Sequence, residues 1–266
     1  MNYGFRLGTT SYIIPADLIP NIEYLAGRVE DIELILFEVD DGPNNLPSEY
    51  DLRQMADLAA ANHLTYTVHL PLDIDLGAVD RIDHPSLHKA VRVIERMNTV
   101  TPHAFVLHLV GKDVLRGRVE PEVWRDRTVA ALEILGKKAG GNEHLAVENL
   151  EGYPLDFLEP VLKRISVSCC VDVGHLWLDA HDALAFLRQH LHRTRVIHLH
   201  GIGTRDHQSV AHVPVDDLRA FLATLEEASY TGVVTLEVFD RDDLDSSLRA
   251  LQQAGDTLHR EMNVGR

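Results

Sequence analysis

Eight short apolar runs alternate with longer amphipathic segments along the chain, and this alternation constrains the fold more than any single motif does. The runs are FRLGTT, DIELILFE, LTYTVHL, HAFVLHL, HLAVEN, VSCCVDV, RVIHLH and VVTLEV. The segments between them, such as SLHKAVRVIERMN, repeat apolar residues at the three- and four-residue spacing of a helix. Strands that alternate with helices predict a parallel sheet, and eight of them in 266 residues favour a closed (β/α)8 barrel, or TIM barrel, over an open doubly wound sheet.

The composition indicates one domain without a membrane-spanning or secretory segment. With 45% hydrophobic residues the chain can bury one large core, so residues 1–266 are predicted to form a single domain. The N-terminal MNYGFRLGTTSY has no basic region followed by a long apolar stretch, and no window of about 18 apolar residues occurs. The two cysteines, Cys169 and Cys170, are neighbours in an apolar run, which suits a reducing compartment. We therefore expect a cytoplasmic protein with no membrane partner.

The charge balance argues against nucleic acid as the main partner. The chain carries 41 acidic and 25 basic residues, a formal net charge of -16. Proteins that follow a phosphate backbone rely instead on clustered lysine and arginine. The expected partner is a small-molecule substrate, and the sequence gives no indication of the oligomeric state.

Polar side chains interrupt six consecutive apolar runs near their carboxyl ends. They are His69, His108, Glu148 with Asn149, Asp172 with His175, His198 with His200, and Glu237. In a (β/α)8 barrel the carboxyl ends of all strands meet at one rim, and active sites lie there. Because each of these residues stands where a core strand would continue with an apolar one, the pattern predicts a functional site at this rim.

Three of these residues are carboxylates, and they need a counter-charge if they converge. Two carboxylates about 4 Å apart repel by roughly 4 kcal/mol at an effective dielectric constant near 20. No lysine or arginine stands at these strand ends, whereas imidazoles are interleaved with the carboxylates. Such mixed sets suit Zn, Mn, Fe or Co better than Mg or Ca. The sequence therefore predicts a divalent metal cluster, with zinc as the first choice.

The stretch VIHLHGIGTRDH contains His198 and His200, whose i and i+2 spacing on a strand directs both side chains into the barrel. His200 occupies the last inward position and is predicted to be the metal ligand, while His198 lies one layer deeper as a supporting or alternative ligand.

Asp206 and His207 follow in a polar loop, where a solvated role is an open alternative. Glu38, which closes DIELILFE, is a further candidate site residue. For Asp172 the alternative interpretation is a cap at the start of a helix.

The ordered strand-end residues resemble those of the xylose-isomerase-like barrel superfamily, which includes sugar isomerases and epimerases and the three-zinc apurinic endonucleases. The resemblance to the one-metal epimerases implies a metal held by Glu148, Asp172, a histidine of the seventh strand and Glu237.

The resemblance to the three-zinc endonucleases implies two further sites. In that pattern His69 and His108 join Glu148 at one metal, and His175 holds a third metal with an Asp and a His from the following loop. The candidates in that loop are Asp206 and His207, which are adjacent here, whereas the endonuclease loop separates its Asp and His by one residue.

Several longer sequence segments more closely resemble those of the bacterial cobamide-remodelling phosphodiesterases, a family of this superfamily. They are FRLGTTSYIIPADLIPN, LFEVDDGPNNLPS, TYTVHLPLD, AVENLEGYP, CVDVGHLWLD and HLHGIGTRDHQSVAHVP. The resemblance implies metal-dependent hydrolysis of the nucleotide-loop phosphodiester of a cobamide to cobinamide phosphate and an α-riboside. In this interpretation the catalytic residues are Glu148, Glu237 and His175. The predicted substrate contacts are Asn149, Asp206, His207 and Glu38.

Three alternative functions remain open at the level of sequence. A one-metal sugar isomerase or epimerase would use Glu148 and Glu237 to move a proton, but it would leave His69 and His108 without a metal. An apurinic endonuclease conflicts with the acidic charge balance. A binder of corrinoids or sugar phosphates that has lost turnover would keep the rim carboxylates at a cost in stability.

Overall fold

In the computed structural model, which describes residues 3–37 and 44–264, the apolar runs form eight parallel strands in a closed barrel with the order β1-β2-β3-β4-β5-β6-β7-β8. The strands are β1 Arg6–Thr10, β2 Asp31–Ile35, β3 Thr65–His69, β4 Phe105–His108, β5 Leu145–Glu148, β6 Ser168–Asp172, β7 Thr194–Leu199 and β8 Val233–Leu236. Strand β1 pairs with both β2 and β8, which closes the barrel. The predicted (β/α)8 architecture is confirmed.

Helices follow the strands along the described part of the chain. They are α1 Leu18–Leu25, α2 Glu49–Asn62, α3 Pro85–Met97, α4 Lys112–Leu115, α5 Pro121–Ala139, α6 Glu159–Leu162, α7 Val173–Leu178, α8 Ala183–His190, α9 Val215–Glu227 and α10 Arg241–Val264. Helix α2 begins after Ser48, which forms a reciprocal capping box with Asp51. Helix α5 begins with Pro121, whose fixed φ suits the first helical position. None of the described helices is both long and apolar enough to span a membrane.

Side-chain alternation along the strands divides the core into two parts. One large cluster lies between the strands and the surrounding helices. A smaller cluster fills the barrel interior with small side chains, namely Ala104, Val106, Ala146, Cys170 and Val196. Directly above this layer, inward positions change from apolar to polar. The barrel interior is therefore packed with apolar side chains below and lined by polar side chains at its carboxyl rim, where active sites of this fold lie.

The strand register sets which rim residues share a level. His108 of β4 pairs with Glu148 of β5, and Asp172 of β6 pairs with His198 of β7. The register between β6 and β7 shifts at Cys169 and Cys170. This shift determines which residue of β7 lies level with the end of β6 at the rim. Both cysteines are buried and free.

Candidate metal centre

Within the described residues, the predicted rim residues come together in three donor sets, of which the first two share Glu148. The first donor set is His69, His108 and Glu148; the second is Glu148, Asp172, His198 and Glu237; the third is His175, His200 and His207. Within each set the nearest nitrogen or oxygen atoms all lie within 4.8 Å of one another, close enough for one metal ion. Two carboxylates, those of Glu148 and Asp172, connect the sets.

The first donor set is built from the ends of β3, β4 and β5. The Nε2 atoms of His108 and His69 lie 3.2 and 3.4 Å from the same carboxylate oxygen, Oε2 of Glu148. The Nδ1 atom of His69 contacts the carbonyl oxygen of Leu70 at 2.8 Å, which fixes that ring so that Nε2 faces Glu148. Three donor atoms from neighbouring strands thus point at one position.

The second donor set surrounds Nδ1 of His198. This nitrogen lies 3.2 Å from Oε2 of Glu237, 3.6 Å from Oε1 of Glu148 and 3.8 Å from Oδ2 of Asp172. Three of these buried atoms, Nδ1 of His198, Oε2 of Glu237 and Oδ2 of Asp172, have no hydrogen-bond partner. Buried polar atoms without a partner are costly, and a cation among them would satisfy all three at once.

The third donor set lies beside the second, on the β6 and β7 side of the rim. Asp172 connects the two, since its Oδ1 lies 3.2 Å from Nε2 of His200 and its Oδ2 lies 3.3 Å from Nδ1 of His175. The same Oδ1 accepts the backbone N–H of His175 at 2.7 Å, so Asp172 also caps α7. The cap and the site role are therefore both present in this one side chain.

The loop after β7 turns back and brings its acidic and imidazole side chains to the third donor set. A pair of backbone hydrogen bonds between Gly201 and Gln208 closes the loop. Asp206 then approaches Nδ1 of His200 at 3.3 Å and Nδ1 of His207 at 3.1 Å. Because Asp206 contacts both imidazoles, it is placed to orient them, while the three histidines supply the donor atoms of the set.

The two histidines predicted on the seventh strand lie in different donor sets. We expected His200 to join the carboxylates and His198 to lie behind it, yet His198 lies in the second donor set and His200 in the third. The physical reason is the register, because pairing of Asp172 with His198 puts these two side chains at one level. His200 lies past the end of β7, beside His175 and His207.

Asn149, which was predicted to contact the substrate, holds the backbone of Asp172 with its side chain. Its side-chain amide donates to the carbonyl oxygen of Asp172 and accepts from the backbone N–H of the same residue, both at 2.9 Å. With both polar groups engaged, the side chain ties the end of β5 to the end of β6 and so positions Asp172. Glu38, the other predicted contact from the β2 run, lies outside the described residues.

Sequence reasoning missed two buried side chains next to the second donor set. Glu33, in the middle of β2, is fully buried and contacts Nε2 of His198 at 3.0 Å. Cys170 lies below the rim, with its sulfur within 4.8 Å of donor atoms of Glu148 and His198. The signal for Glu33 was present in DIELI, where an acidic residue occupies an inward position of an apolar strand.

The electrostatics fit a cation. Burial raises the pKa of Glu148, but the imidazoles of His108 and His198 lower it further and leave it well below its usual range. Burial likewise raises the pKa of Glu237, and His198 brings it well below normal. Burial lowers the pKa of His200, but Asp172 reverses that effect and raises it to about 9. Glu148 and Glu237 are thus ionised although they are buried, and divalent ions can replace the protons on the neighbouring imidazoles that compensate them.

The donor chemistry and the partnerless buried atoms both fit zinc or a related transition metal. The residues of the second donor set would hold one ion and those of the first set another, while the all-histidine third set could hold a further ion.

Comparisons with known proteins agree with this architecture. A D-tagatose 3-epimerase-like protein superposes with a TM-score of 0.77 at 17% identity over 97% of this chain and 100% of that chain. The D-psicose 3-epimerase of Clostridium cellulolyticum gives a TM-score of 0.70 at 16% identity over 96% and 99% of the two chains. Endonuclease IV from Thermus thermophilus gives 0.68 at 17% identity over 95% and 99%. At these identities the likeness establishes the fold alone.

No curated protein matches the sequence at a significant level. A family model described as xylose isomerase-like TIM barrel matches residues 28–259, which is most of the chain. The chain therefore belongs to the xylose isomerase-like TIM barrel family.

Proposed function

We propose that the protein is a metal-dependent phosphodiesterase that hydrolyses the nucleotide-loop phosphodiester of cobamides. One observation carries the hydrolase assignment: the two oxygens of Glu148 face different donor sets. Oε2 lies near His69 and His108, whereas Oε1 lies 3.6 Å from Nδ1 of His198. A carboxylate shared in this way is suited to bridge two metal ions, and paired ions are typical of phosphate-ester hydrolysis.

The bound metals would supply Lewis acidity toward a phosphoryl oxygen and would lower the pKa of an attacking water. The chain's own residues divide the remaining work. Glu148 would hold the two ions at a fixed separation, and Glu237 would complete the second donor set beside His198. His175, which contacts Asp172 at the mouth of the site, is placed to meet the leaving group or the phosphate.

The rim also supports a substrate with a large apolar surface. Among the side chains that the structure describes, the exposed large apolar ones all lie between a strand end and the first residues of the next long helix. They are Tyr50, Leu72, Ile82, Leu115, Val123, Leu155, Leu178, Val215 and Phe239. Exposed apolar groups concentrated on one face indicate a binding surface. A corrin macrocycle presents far more apolar surface to such side chains than a monosaccharide does.

A sugar epimerase is the second candidate, and the fold relatives favour it. Two of the similar structures described above are a D-tagatose 3-epimerase-like protein and a D-psicose 3-epimerase. The second donor set alone would suffice for one metal, with Glu148 and Glu237 on either side of a substrate carbon as proton carriers. This function gives no role to the first donor set.

The proposal implies a small molecule as partner and a reducing compartment, where the buried thiols stay free. The net charge of -16 counts against a nucleic-acid substrate. Endonuclease action is therefore not proposed, although an endonuclease shares the fold.

The test is incubation of the zinc-loaded protein with a cobamide under reducing conditions, followed by chromatography. We expect cobinamide phosphate and the α-riboside as products, and we expect Glu148→Gln to lose hydrolysis by more than a hundredfold. The matched control is Glu143→Gln, in the turn that precedes β5 at the end of the strand away from the site, which should retain activity. Turnover of a ketose but of no cobamide would transfer the assignment to the epimerase.

A further inference from the structure

A buried carboxylate in the barrel interior contacts the central histidine from the side away from the donor sets. Oε2 of Glu33 lies 3.0 Å from Nε2 of His198 and accepts a hydrogen bond from Oγ1 of Thr235 at 3.0 Å. All three side chains are fully buried. Glu33 lies on β2, His198 on β7 and Thr235 on β8, so this contact crosses the barrel.

The contact determines which nitrogen of His198 is free for a metal. Oε2 of Glu33 accepts the hydroxyl proton of Thr235, and Nε2 of His198 lies 3.0 Å from the same oxygen, so Nε2 is the donor in that contact. In the neutral imidazole the lone pair is then on Nδ1. Nδ1 is the atom that faces Glu237, Glu148 and Asp172.

We propose that Glu33 is a positioning residue that fixes the tautomer and ring orientation of His198, so that Nδ1 is presented to the metal of the second donor set. This inference rests on the metal site of the proposed function. Thr235 holds the carboxylate in place by its hydrogen bond to the same oxygen. A carboxylate behind a metal-binding histidine also increases the basicity of the ligand nitrogen.

A purely structural role explains Glu33 less well. Its second oxygen, Oε1, is buried without a hydrogen-bond partner. A carboxylate in this environment is unfavourable for stability compared with an apolar residue of similar volume. The neighbouring inward layer is filled by such residues, including Val106 and Val196. The carboxylate of Glu33 is therefore better explained by its contact with His198 than by packing of the barrel interior.

The experiment measures metal affinity rather than activity. Apo-protein is titrated with Co²⁺, and the visible absorption bands give both the dissociation constant and the ligand geometry at the second donor set. Glu33→Ala removes the acceptor and should weaken binding by about a hundredfold, while Glu33→Gln keeps an acceptor oxygen without the charge and should weaken it by about tenfold. Both variants should shift the absorption bands.

Asp31→Asn is the matched control. It changes a fully buried carboxylate to an amide on the same strand, at an inward position two residues earlier, and should leave the affinity and the bands as in the wild type. If Glu33→Ala does not fold, the Co²⁺ affinities and spectra of Glu33→Gln and Asp31→Asn are compared instead, and the inference requires weaker binding by Glu33→Gln. Equal affinities and equal spectra for those two variants would overturn the inference. Absence of Co²⁺ binding by the wild-type protein would instead refute the proposed function.

Discussion

Asp31 provides a stability prediction whose size follows from its environment. The residue begins β2 and its side chain is fully buried, with Oδ2 accepting a hydrogen bond from Oγ1 of Thr65 at 2.5 Å. Its other oxygen has no partner. Burial raises the pKa of this carboxyl to about 6, and the hydrogen bond from Thr65, with the nearby hydroxyl of Thr67, only partly opposes the shift.

A raised carboxyl pKa means that the folded protein retains the proton after the unfolded chain has lost it. The stabilisation due to protonated Asp31 is complete below the unfolded pKa of 3.8 and is lost as the pH rises through about 6. The total loss is about 3 kcal/mol, since each pKa unit corresponds to about 1.4 kcal/mol. Asn cannot ionise, so Asp31→Asn escapes this loss.

The assay is denaturant unfolding of wild-type and Asp31→Asn protein at a series of pH values, with chelator present so that metal does not contribute. The stability of the variant relative to the wild type should increase by about 2.5 kcal/mol between pH 4 and pH 8. Asp57→Asn, which changes an exposed carboxylate on α2, should show a flat difference over that range. A flat difference for Asp31→Asn would refute the assignment of a desolvated carboxyl at this position.

Two further predictions concern the metal centre. Removal of zinc by a chelator should lower the melting temperature, because free metal at about 100 times its dissociation constant adds about 2.7 kcal/mol per site; an unchanged or higher melting temperature in calorimetry would contradict this. Gly174→Ala should displace His200, because a Cβ at position 174 would lie 2.2 Å from the His200 ring. A crystal structure of that variant with His200 in its present place would show the packing argument to be wrong.

The strands and most of the candidate site could be predicted because both depend on local pattern. Apolar runs mark the strands, and a polar residue at an inward position near the carboxyl end of a run marks the rim. This reasoning found Glu148, Asp172 and Glu237 without reference to any contact between them. Their convergence follows from barrel closure alone.

The level of each histidine in the barrel could not be read from the sequence. Alternation places His198 and His200 on the same side of β7 but does not say which one is level with Asp172. That depends on the stagger between strands and on the register shift at Cys169 and Cys170. The stagger belongs to a pair of strands, so the sequence of one strand alone does not determine it.

Two other features of the site also depend on contacts between strands. Glu33, in the middle of β2, contacts His198 of β7 across the barrel, and no pattern within β2 gives that partner. Asn149 follows a predicted ligand and resembles a substrate contact in sequence, but the nearest groups to its amide are backbone atoms of the neighbouring strand. Both outcomes depend on contacts across the sheet.

The number of metal ions per chain tests the central claim most directly, because a Glu148 carboxylate shared between two donor sets is useful only if both are occupied. Native mass spectrometry of the zinc-loaded protein should show two or three ions per chain, and Glu148→Gln should lose at least one of them. A single ion per chain in the wild-type protein at saturating zinc would contradict the account and leave the second donor set as a one-metal site.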